Sequence, residues 1–170
     1  MRLYLDRIAS PIGAILIATD RRALCALDFE EYADRMRRLL ERRYGSFEFV
    51  PAGDPLGTSS ALRSYLTGNL RALDALEVDG GGTAFQRDVW SLLRSIAPGT
   101  TATYGELATL LHRPKAARAV GAANALNPIA IVVPCHRVIG ARAGLTGYAG
   151  GLDRKRWLLA HEQHMPPLLA

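Results

Sequence analysis

Short apolar runs alternate with turn residues in the N-terminal part of the chain, which is the pattern of a small antiparallel sheet. Three runs cover residues 2 to 9, 12 to 18 and 23 to 29, with Ser10-Pro11 and Asp20-Arg21-Arg22 between them. Runs of this length separated by turn residues predict three strands of an antiparallel meander.

Two amphipathic stretches after these runs predict helices. Residues 31 to 44 place Met36, Leu39 and Leu40 among arginines and acids, and residues 59 to 67 form a shorter stretch of the same kind. The segment between them is rich in proline and glycine and is predicted to be a loop with at most one strand. We therefore expect a small α/β domain in this part of the chain.

Gly80-Gly81-Gly82 marks the predicted domain boundary. The glycines are not followed by the Gly-Lys-Ser/Thr of a phosphate-binding loop, so we interpret them as a linker. We predict an N-terminal α/β domain over residues 1 to 80 and a second domain over residues 81 to 170.

The second domain is predicted to be mainly helical. Apolar residues recur at helical spacing from Phe85 to Ile96, with Thr83 as a candidate cap. Thr103 and Glu106 have the spacing of a capping box, in which a threonine and a later glutamate satisfy two backbone N–H groups. A second helix is predicted to begin there. Asp153 is predicted to cap a last helix over residues 154 to 163.

Between these helices, another is predicted to begin at Pro114 and to run through Asn124, because proline suits the first turn of a helix. With the preceding helix it makes a helix-turn-helix candidate. One face carries a single long side chain, Arg118, among small ones. The small residues are Ala116, Ala117, Ala119, Gly121, Ala122 and Ala123. Taken alone, such a face favours tight packing against another helix. The C-terminal tail around Pro166 and Pro167 is predicted to be frayed.

Charge is distributed unevenly along the chain. Residues 1 to 84 hold 11 Lys and Arg against 12 Asp and Glu, whereas residues 85 to 170 hold 10 against 4. The second part therefore carries a net charge of +6 and the first part −1, which together give the formal net charge of +5. A basic domain is common in proteins that contact nucleic acid, although basic surfaces also occur without such a partner.

The two cysteines do not make a disulfide framework, and charges at Arg2, Asp6 and Arg7 interrupt the N-terminus. Without an export signal or a spanning segment, we predict a cytoplasmic protein with free thiols and no membrane association. Cys25 lies in an apolar run and is interpreted as a buried core residue.

The candidate chemistry lies in residues 127 to 139. A β-branched apolar run leads to Cys135, which follows Pro134 and precedes His136 and Arg137. The thiolate is the nucleophilic form of cysteine, and a nearby imidazole or positive charge favours that form. These neighbours alone leave a buried structural cysteine, the commoner fate of a free thiol, as an equal alternative.

The stretch Pro134 to Val138 closely resembles the active-site signature of the O6-alkylguanine-DNA alkyltransferases, also called methylated-DNA-protein-cysteine methyltransferases. The resemblance continues in ordered blocks, while the first 80 residues match loosely. The blocks are residues 85 to 90, 103 to 108, 118 to 122, 127 to 128, 147 to 151 and 158 to 162. The resemblance implies a ribonuclease-H-like α/β N-terminal domain and a mainly α C-terminal domain with a winged helix-turn-helix.

The same resemblance implies an irreversible transfer of the alkyl group from O6 of guanine in duplex DNA to Cys135. The thioether product has no carbonyl for water to attack, so each molecule is expected to act once, without a cofactor. His136 is implied as the base for Cys135 through a bridging water, and Glu162 as the residue that orients His136. Asn127 is implied to support the turn that holds Cys135.

The resemblance also implies a pocket for a guanine that is flipped out of the duplex. Tyr104 is expected to donate a hydrogen bond to the purine and to lie beside a phosphate. Tyr148 is expected to form a wall of the pocket, and the backbone amide of Ala149 is expected to lie near O6 of the guanine. The backbone carbonyls of Cys135 and Val138 are expected to bind the exocyclic amine of guanine.

Arg118 is implied to fill the place that the flipped nucleotide leaves, while its helix enters the minor groove. The other residues predicted to contact DNA are Thr103, Lys115, Ala117, Ala119, Gly121 and Ala122. The predicted partner is therefore double-stranded DNA that contains O6-alkylguanine.

A non-catalytic binder of alkylated DNA is the alternative function, but relatives of that kind replace the cysteine that is Cys135 here. A cysteine hydrolase would need an oxyanion hole that no motif specifies. We expect a stand-alone monomer. We also expect no bound metal, because Cys25 is the only N-terminal cysteine and no histidine precedes His112. The sequence does not decide the size of the alkyl group, activity on O4-alkylthymine, cooperativity on DNA or the role of the N-terminal domain.

Overall fold

The computed structural model describes residues 1–142 and 144–163. They form two compact units. The first unit contains Met1–Gly82 together with Pro128–Val132, and the second contains Thr83–Asn127 and the chain from Val133 onward. The predicted tail around Pro166 and Pro167 lies outside the described residues.

A four-stranded sheet forms the centre of the first unit, and its strand order is β3-β2-β1-β4. Its strands are β1 (Arg2–Ile8), β2 (Ile15–Thr19), β3 (Leu24–Phe29) and β4 (Glu48–Pro51). β2 is antiparallel to both β1 and β3, which confirms the predicted meander. β4 is the single strand foreseen in the loop segment, and it pairs in parallel with β1.

Two helices complete this part of the first unit, α1 (Ala33–Tyr44) and α2 (Thr58–Leu66). α1 buries Met36 and Leu40 against a cluster that includes Leu3 and Cys25. Gly45 has φ +69 and ends α1, because this left-handed region favours glycine.

The segment Pro128–Val132 pairs with β3 inside the first unit. The Leu27 N–H donates to the Pro128 carbonyl at 3.0 Å, and the Ala130 N–H donates to the Leu27 carbonyl at 3.0 Å. Ile131, which follows, has φ +69, a conformation that a β-branched residue rarely adopts. This turn comes immediately before the residues that carry the candidate chemistry.

The second unit is mainly helical, as predicted. Its helices are α3 (Ala84–Arg94), α4 (Tyr104–Leu110), α5 (Ala117–Ala125) and α6 (Leu152–Gln163). A two-stranded parallel sheet joins β5 (Ala102–Thr103) to β6 (Val138–Ile139). Thr83 and Thr103 both cap helices, and the predicted capping box between Thr103 and Glu106 is confirmed.

Two predicted helix starts were wrong. Pro114 does not begin α5, because residues 113 to 116 form a turn in which the Ala116 N–H donates to the Arg113 carbonyl at 2.8 Å. Proline is also favoured at the second position of such a turn, so its preference did not distinguish the two structures. α6 begins at Leu152, so Asp153 lies in its first turn instead of capping it.

Within the described residues, no helix is long and apolar enough to cross a membrane.

Candidate active site

Cys135 is held at the start of a 3-10 turn, Cys135–Arg137, that leads into β6. Pro134 has φ −82 and ψ 64, and the Cys135 N–H donates to the Val133 carbonyl at 2.8 Å, which together describe an inverse γ-turn. The Asn127 side chain donates from Nδ2 to the same Val133 carbonyl at 2.8 Å. Two donors on one carbonyl therefore fix the backbone just before the cysteine.

His136 and Glu162 form a buried pair next to this turn. Nε2 of His136 lies 2.8 Å from Oε1 of Glu162, and both side chains are fully shielded from solvent. Burial lowers the pKa of His136, because it disfavours the charged imidazolium, although the Glu162 carboxylate acts in the opposite direction. Burial would raise the pKa of Glu162, but the hydrogen bonds from His136 and Arg137 outweigh it and hold that pKa well below its usual range.

These pKa directions determine which ring nitrogen of His136 carries the proton. Glu162 is ionised and can only accept, so the neutral imidazole must donate to it from Nε2–H. The lone pair then lies on Nδ1, which is buried and has no hydrogen-bond partner within the described residues. His136 therefore presents an unprotonated nitrogen that can receive a proton.

Arg137, which the sequence indicates only as a positive charge beside Cys135, also belongs to this cluster. Its Nε donates to Glu162 Oε2 at 3.0 Å, and its Nη2 donates to Oε1 at 2.7 Å. Nη1 donates to the Ile96 carbonyl at 2.6 Å. A bidentate pair of this kind holds the carboxylate in one orientation, and the carboxylate in turn holds His136.

A cavity of about 260 Å³ opens beside Cys135. Its lining includes Tyr104, Gly121, Asn124, Ala125, Cys135, Gly147, Tyr148 and Ala149. The cavity therefore brings together Cys135 and three of the residues predicted to form the base pocket, Tyr104, Tyr148 and Ala149. Val138, the fourth, is fully buried and does not line it.

The two carbonyls predicted to bind the exocyclic amine of guanine each accept a hydrogen bond within the protein. The Cys135 carbonyl accepts from the Val138 N–H, and the Val138 carbonyl accepts from Nζ of Lys155 at 2.6 Å. Each carbonyl oxygen keeps a second lone pair. Each oxygen can therefore still accept a hydrogen bond from the exocyclic amine of guanine, which it would share with a donor of the protein.

Lys155 is a site residue that the sequence analysis missed. Its side chain is fully buried, and Nζ donates to the carbonyls of Val138 and Thr146, the latter at 2.7 Å. Burial lowers the pKa of Lys155, whereas the charge of Cys135 acts to raise it. Lys155 thus ties β6 to the loop that supplies Gly147, Tyr148 and Ala149 to the cavity.

The residues predicted to contact DNA lie mostly on one surface of α5. Val120, Ala123 and Asn124 form the buried face of the helix. Arg118, Ala119 and Ala122 are exposed, as is Lys115 just before the helix, whereas Ala117 and Gly121 are partly buried. A methyl group at Gly121 would lie 3.8 Å from the Tyr104 ring, so this helix passes close to the cavity wall.

Thr103 already has a structural role as the cap of α4. Its hydroxyl oxygen accepts from the Glu106 N–H at 3.1 Å, and its own N–H donates to Glu106 Oε2 at 2.7 Å. The hydroxyl proton is not used in this cap, so Thr103 can still donate to a phosphate.

Cys25 differs from Cys135 in its surroundings, as predicted for a core residue. It is buried in the first unit, where the Tyr44 hydroxyl donates to its Sγ at 3.4 Å. Burial raises the pKa of this thiol and keeps it protonated.

Among residues 1–142 and 144–163, no group of three or more His, Cys, Asp or Glu side chains could hold a metal ion.

Family models match both parts of the chain. The 6-O-methylguanine DNA methyltransferase DNA binding domain matches residues 84–164, and the ribonuclease-like domain of the same methyltransferase matches residues 3–79. These matches agree with the predicted fold class, an α/β ribonuclease-like domain followed by a mainly helical DNA-binding domain.

Similar proteins carry a consistent name. A methylated-DNA--protein-cysteine methyltransferase of Salmonella typhimurium is 51% identical over 168 residues, which are 97% of this chain and 98% of the relative. A protein of the same name from Methanosarcina acetivorans is 43% identical over 160 residues, which are 94% of this chain and 98% of the relative.

Solved structures show the same similarity. The crystal structure of Mycobacterium tuberculosis O6-methylguanine methyltransferase superposes with a TM-score of 0.80 at 38% identity and covers 98% of this chain and 96% of its own. The structure of Mycobacterium tuberculosis OGT in complex with DNA gives a TM-score of 0.79 at 38% identity, with 99% and 96% covered. The resemblance inferred from the sequence is thereby confirmed.

Proposed function

Because the chain belongs to the 6-O-methylguanine DNA methyltransferase family, we propose that it repairs double-stranded DNA by moving the alkyl group of O6-alkylguanine onto Cys135. The observation that carries this assignment is the position of Cys135, which lines a cavity while its neighbour His136 forms a buried pair with Glu162. A structural cysteine such as Cys25 has neither feature.

In the proposed reaction, the Cys135 thiolate attacks the sp3 carbon that is attached to O6. A sulfur–carbon bond forms, the carbon–oxygen bond breaks, and its electron pair passes to the guanine oxygen. The thiol proton leaves through a bridging water to Nδ1 of His136, the nitrogen that has no partner within the described residues. Tyr104, which lines the cavity, donates to the purine as negative charge develops on it.

The product is a thioether, which the protein cannot hydrolyse. A thioether has no carbonyl for water to attack, and a thiolate is a poor leaving group from an sp3 carbon, so Cys135 remains alkylated and each molecule reacts once. Three residues position the reacting groups without touching the substrate. Asn127 holds the turn before Cys135, Glu162 holds the imidazole of His136, and Arg137 holds Glu162.

The target atom lies inside the stacked duplex, so the guanine must be flipped out to reach Cys135. The exposed small residues Ala119 and Ala122 allow the α5 backbone to approach the minor groove. Arg118 is exposed beside them and fills the place of the flipped nucleotide. Lys115 and Thr103 contact the phosphate backbone in this arrangement.

The experiment that tests the proposal is the intact mass of the protein after incubation with a duplex that contains one O6-methylguanine. A gain of one methylene, about 14 Da, that stops at one group per protein is expected for wild type and Cys25→Ser, and no gain for Cys135→Ser. A second duplex with O4-methylthymine measures whether that base is also a substrate.

A non-catalytic lesion binder is the alternative function, and the same experiment separates the two. Tight binding to the alkylated duplex without a mass gain would establish a lesion binder and overturn the assignment of Cys135. Native mass measurements on the same samples test the proposed monomer. The cytoplasmic location stays a prediction from the sequence.

A further inference from the structure

Thr146 contacts the tyrosine that serves as a hydrogen-bond donor in the proposed reaction. The Oγ1 hydroxyl of Thr146 donates to the phenol oxygen of Tyr104 at 3.4 Å. Tyr104 lines the cavity beside Cys135, whereas Thr146 is not among the residues that line it. The proposed reaction assigns no role to the Thr146 hydroxyl.

Two further contacts hold Thr146 in this place. Its backbone carbonyl accepts from Nζ of the buried Lys155 at 2.7 Å. Its methyl carbon Cγ2 lies 3.0 Å from the position that a methyl group at Gly140 would occupy, so a side chain at that position would crowd it. The Gly140 N–H also donates to the Gly144 carbonyl at 2.9 Å, which closes the loop before Thr146. The hydroxyl of this exposed threonine is therefore carried to a defined point.

The ring of Tyr104 is placed by two helices. Tyr104 is the first residue of α4, directly after the cap Thr103. A methyl group at Gly121 would lie 3.8 Å from two carbons of the ring, so the α5 backbone lies close to it. These contacts place the ring, but the hydroxyl proton can still rotate about the carbon–oxygen bond. A hydroxyl proton turns to suit its hydrogen-bond partners, and Thr146 is such a partner.

The direction of this hydrogen bond determines what Tyr104 can do. A phenol hydroxyl has one proton to donate and can also accept. Because Thr146 donates, it occupies a lone pair of the Tyr104 oxygen and leaves the Tyr104 proton for the base in the cavity. A donor on the phenol oxygen also polarises its O–H bond, which strengthens the next hydrogen bond in the chain. The length of 3.4 Å is compatible with this role, since hydrogen bonds at active sites are often long until the substrate binds.

The other contacts of Thr146 do not need its hydroxyl. Valine has nearly the same shape as threonine and would pack against Gly140 in the same way. The carbonyl that accepts from Lys155 belongs to the backbone, so it is present with any side chain. The contact that requires the hydroxyl is the one with Tyr104.

We propose that Thr146 is a positioning residue whose hydroxyl directs the proton of Tyr104 toward the purine in the cavity. This assignment rests on the proposed function, because it concerns the donor that stabilises the departing guanine. Thr146 then acts on the chemical step, in which negative charge develops on the purine, and not on the affinity for DNA.

The test is a double-mutant cycle between the two hydroxyls. Single-turnover rates of methyl transfer from O6-methylguanine in a duplex to Cys135 are measured for wild type, Thr146→Val, Tyr104→Phe and the double variant. Thr146→Val is expected to slow transfer about 3- to 10-fold, the value of one neutral hydrogen bond. In the Tyr104→Phe background the same change is expected to alter the rate less than about 2-fold, because the hydroxyl that Thr146 directs is gone.

Further variants separate the hydroxyl from the loop that carries it. Thr146→Ser keeps the hydroxyl and is expected to transfer at close to the wild-type rate. Thr109→Val is the matched control, since this exposed threonine of α4 donates to the Gly105 carbonyl at 3.0 Å, and it is expected to behave as wild type. Affinity for an unmodified duplex is expected to be unchanged in Thr146→Val, because no charge is removed. If Thr146→Val does not fold, Thr146→Ala supplies the same comparison.

Equal slowing by Thr146→Val in the wild-type and Tyr104→Phe backgrounds would overturn the proposal and assign Thr146 to the structure of its loop. A Thr146→Val protein as fast as wild type would also overturn it, and so would a Thr146→Ser protein as slow as Thr146→Val. Failure of the proposed function is a different result, since wild type would then transfer no methyl group from O6-methylguanine to Cys135.

Discussion

Oε1 of Glu162 accepts hydrogen bonds from two side chains, from Nε2 of His136 at 2.8 Å and from Nη2 of Arg137 at 2.7 Å. The same carboxylate therefore holds the proposed base and neutralises a buried guanidinium. Folding and chemistry are linked through this one group, because removing its charge affects both neighbours.

Glu162→Gln is expected to lower the free energy of unfolding by about 3 to 5 kcal/mol, since it leaves the Arg137 charge without its buried partner. Transfer to Cys135 is expected to slow as well, because glutamine has a single acceptor oxygen for which His136 and Arg137 compete, and its amide NH2 cannot accept from either. Urea unfolding and single-turnover kinetics measure the two effects.

Asp74→Asn is the matched control, because Asp74 pairs with Arg71 at 3.4 Å on the surface. That exposed pair is expected to contribute less than about 1 kcal/mol. Similar losses in the two variants would contradict a special role for the buried cluster.

Stability is expected to fall in acid in two steps. The pKa of His136 in the folded protein lies below its ordinary value of 6.5, so the unfolded chain takes up this proton first and stability declines as the pH falls below about 6.5. The folded pKa of Glu162 lies below its ordinary value of 4.5, so its contribution is present above that pH and is lost below it.

Urea unfolding of the wild type between pH 8 and pH 3 measures both steps. Glu162→Gln is expected to lose most of the decline below pH 4.5, because the titrating carboxyl is gone. A free energy of unfolding that stays constant between pH 7 and pH 5 would contradict the burial of a neutral His136.

Lys155→Met is expected to lower the free energy of unfolding by about 2 to 3 kcal/mol, although methionine packs well, because the carbonyls of Val138 and Thr146 lose a charged donor. The loop with Tyr148 and Ala149 should then be held less firmly, and transfer should slow. Thermal unfolding and single-turnover rates test this.

Lys115→Met is the control for a loss of charge without a loss of buried hydrogen bonds, since Lys115 is exposed. It is expected to leave stability unchanged and to weaken binding to any DNA sequence, with the salt slope reduced by about 1. A Lys155→Met protein as stable as Lys115→Met would rule out the proposed tie between β6 and the loop.

Local patterns predicted much of this fold. The capping box of Thr103 and Glu106 involves residues three positions apart, and the meander follows from runs of a few residues, so both could be predicted without tertiary information. The start of α5 could not be, because Pro114 suits a turn and a first helical turn equally well.

The parts of the site that were missed depend on distant partners. Lys155 lies between two arginines, a pattern typical of an exposed basic helix, and its carbonyl acceptors belong to residues 138 and 146. The positive charge of Arg137 beside Cys135 could be predicted from the sequence, but its pairing with a carboxylate 25 positions later could not. The positive φ of Ile131 opposes the intrinsic preference of a β-branched residue, so only tertiary packing explains it.

Arg118→Ala offers a test of base flipping in which the chemistry at Cys135 cancels, because transfer rates from duplex and single-stranded DNA are compared. If Arg118 occupies the place of the flipped guanine, its loss should slow transfer from duplex DNA, in which the base must be unstacked and unpaired. Transfer from a single strand with the same O6-methylguanine should change much less, because that strand has no paired base to replace. The expected result is a ratio of duplex to single-strand rates that falls at least about 10-fold, the equivalent of 1.4 kcal/mol.

Arg118→Lys keeps the charge but not the planar group, so it separates phosphate attraction from occupation of the vacated site. Equal slowing on both substrates would assign Arg118 to general DNA affinity and leave the flipped base without a replacement from α5.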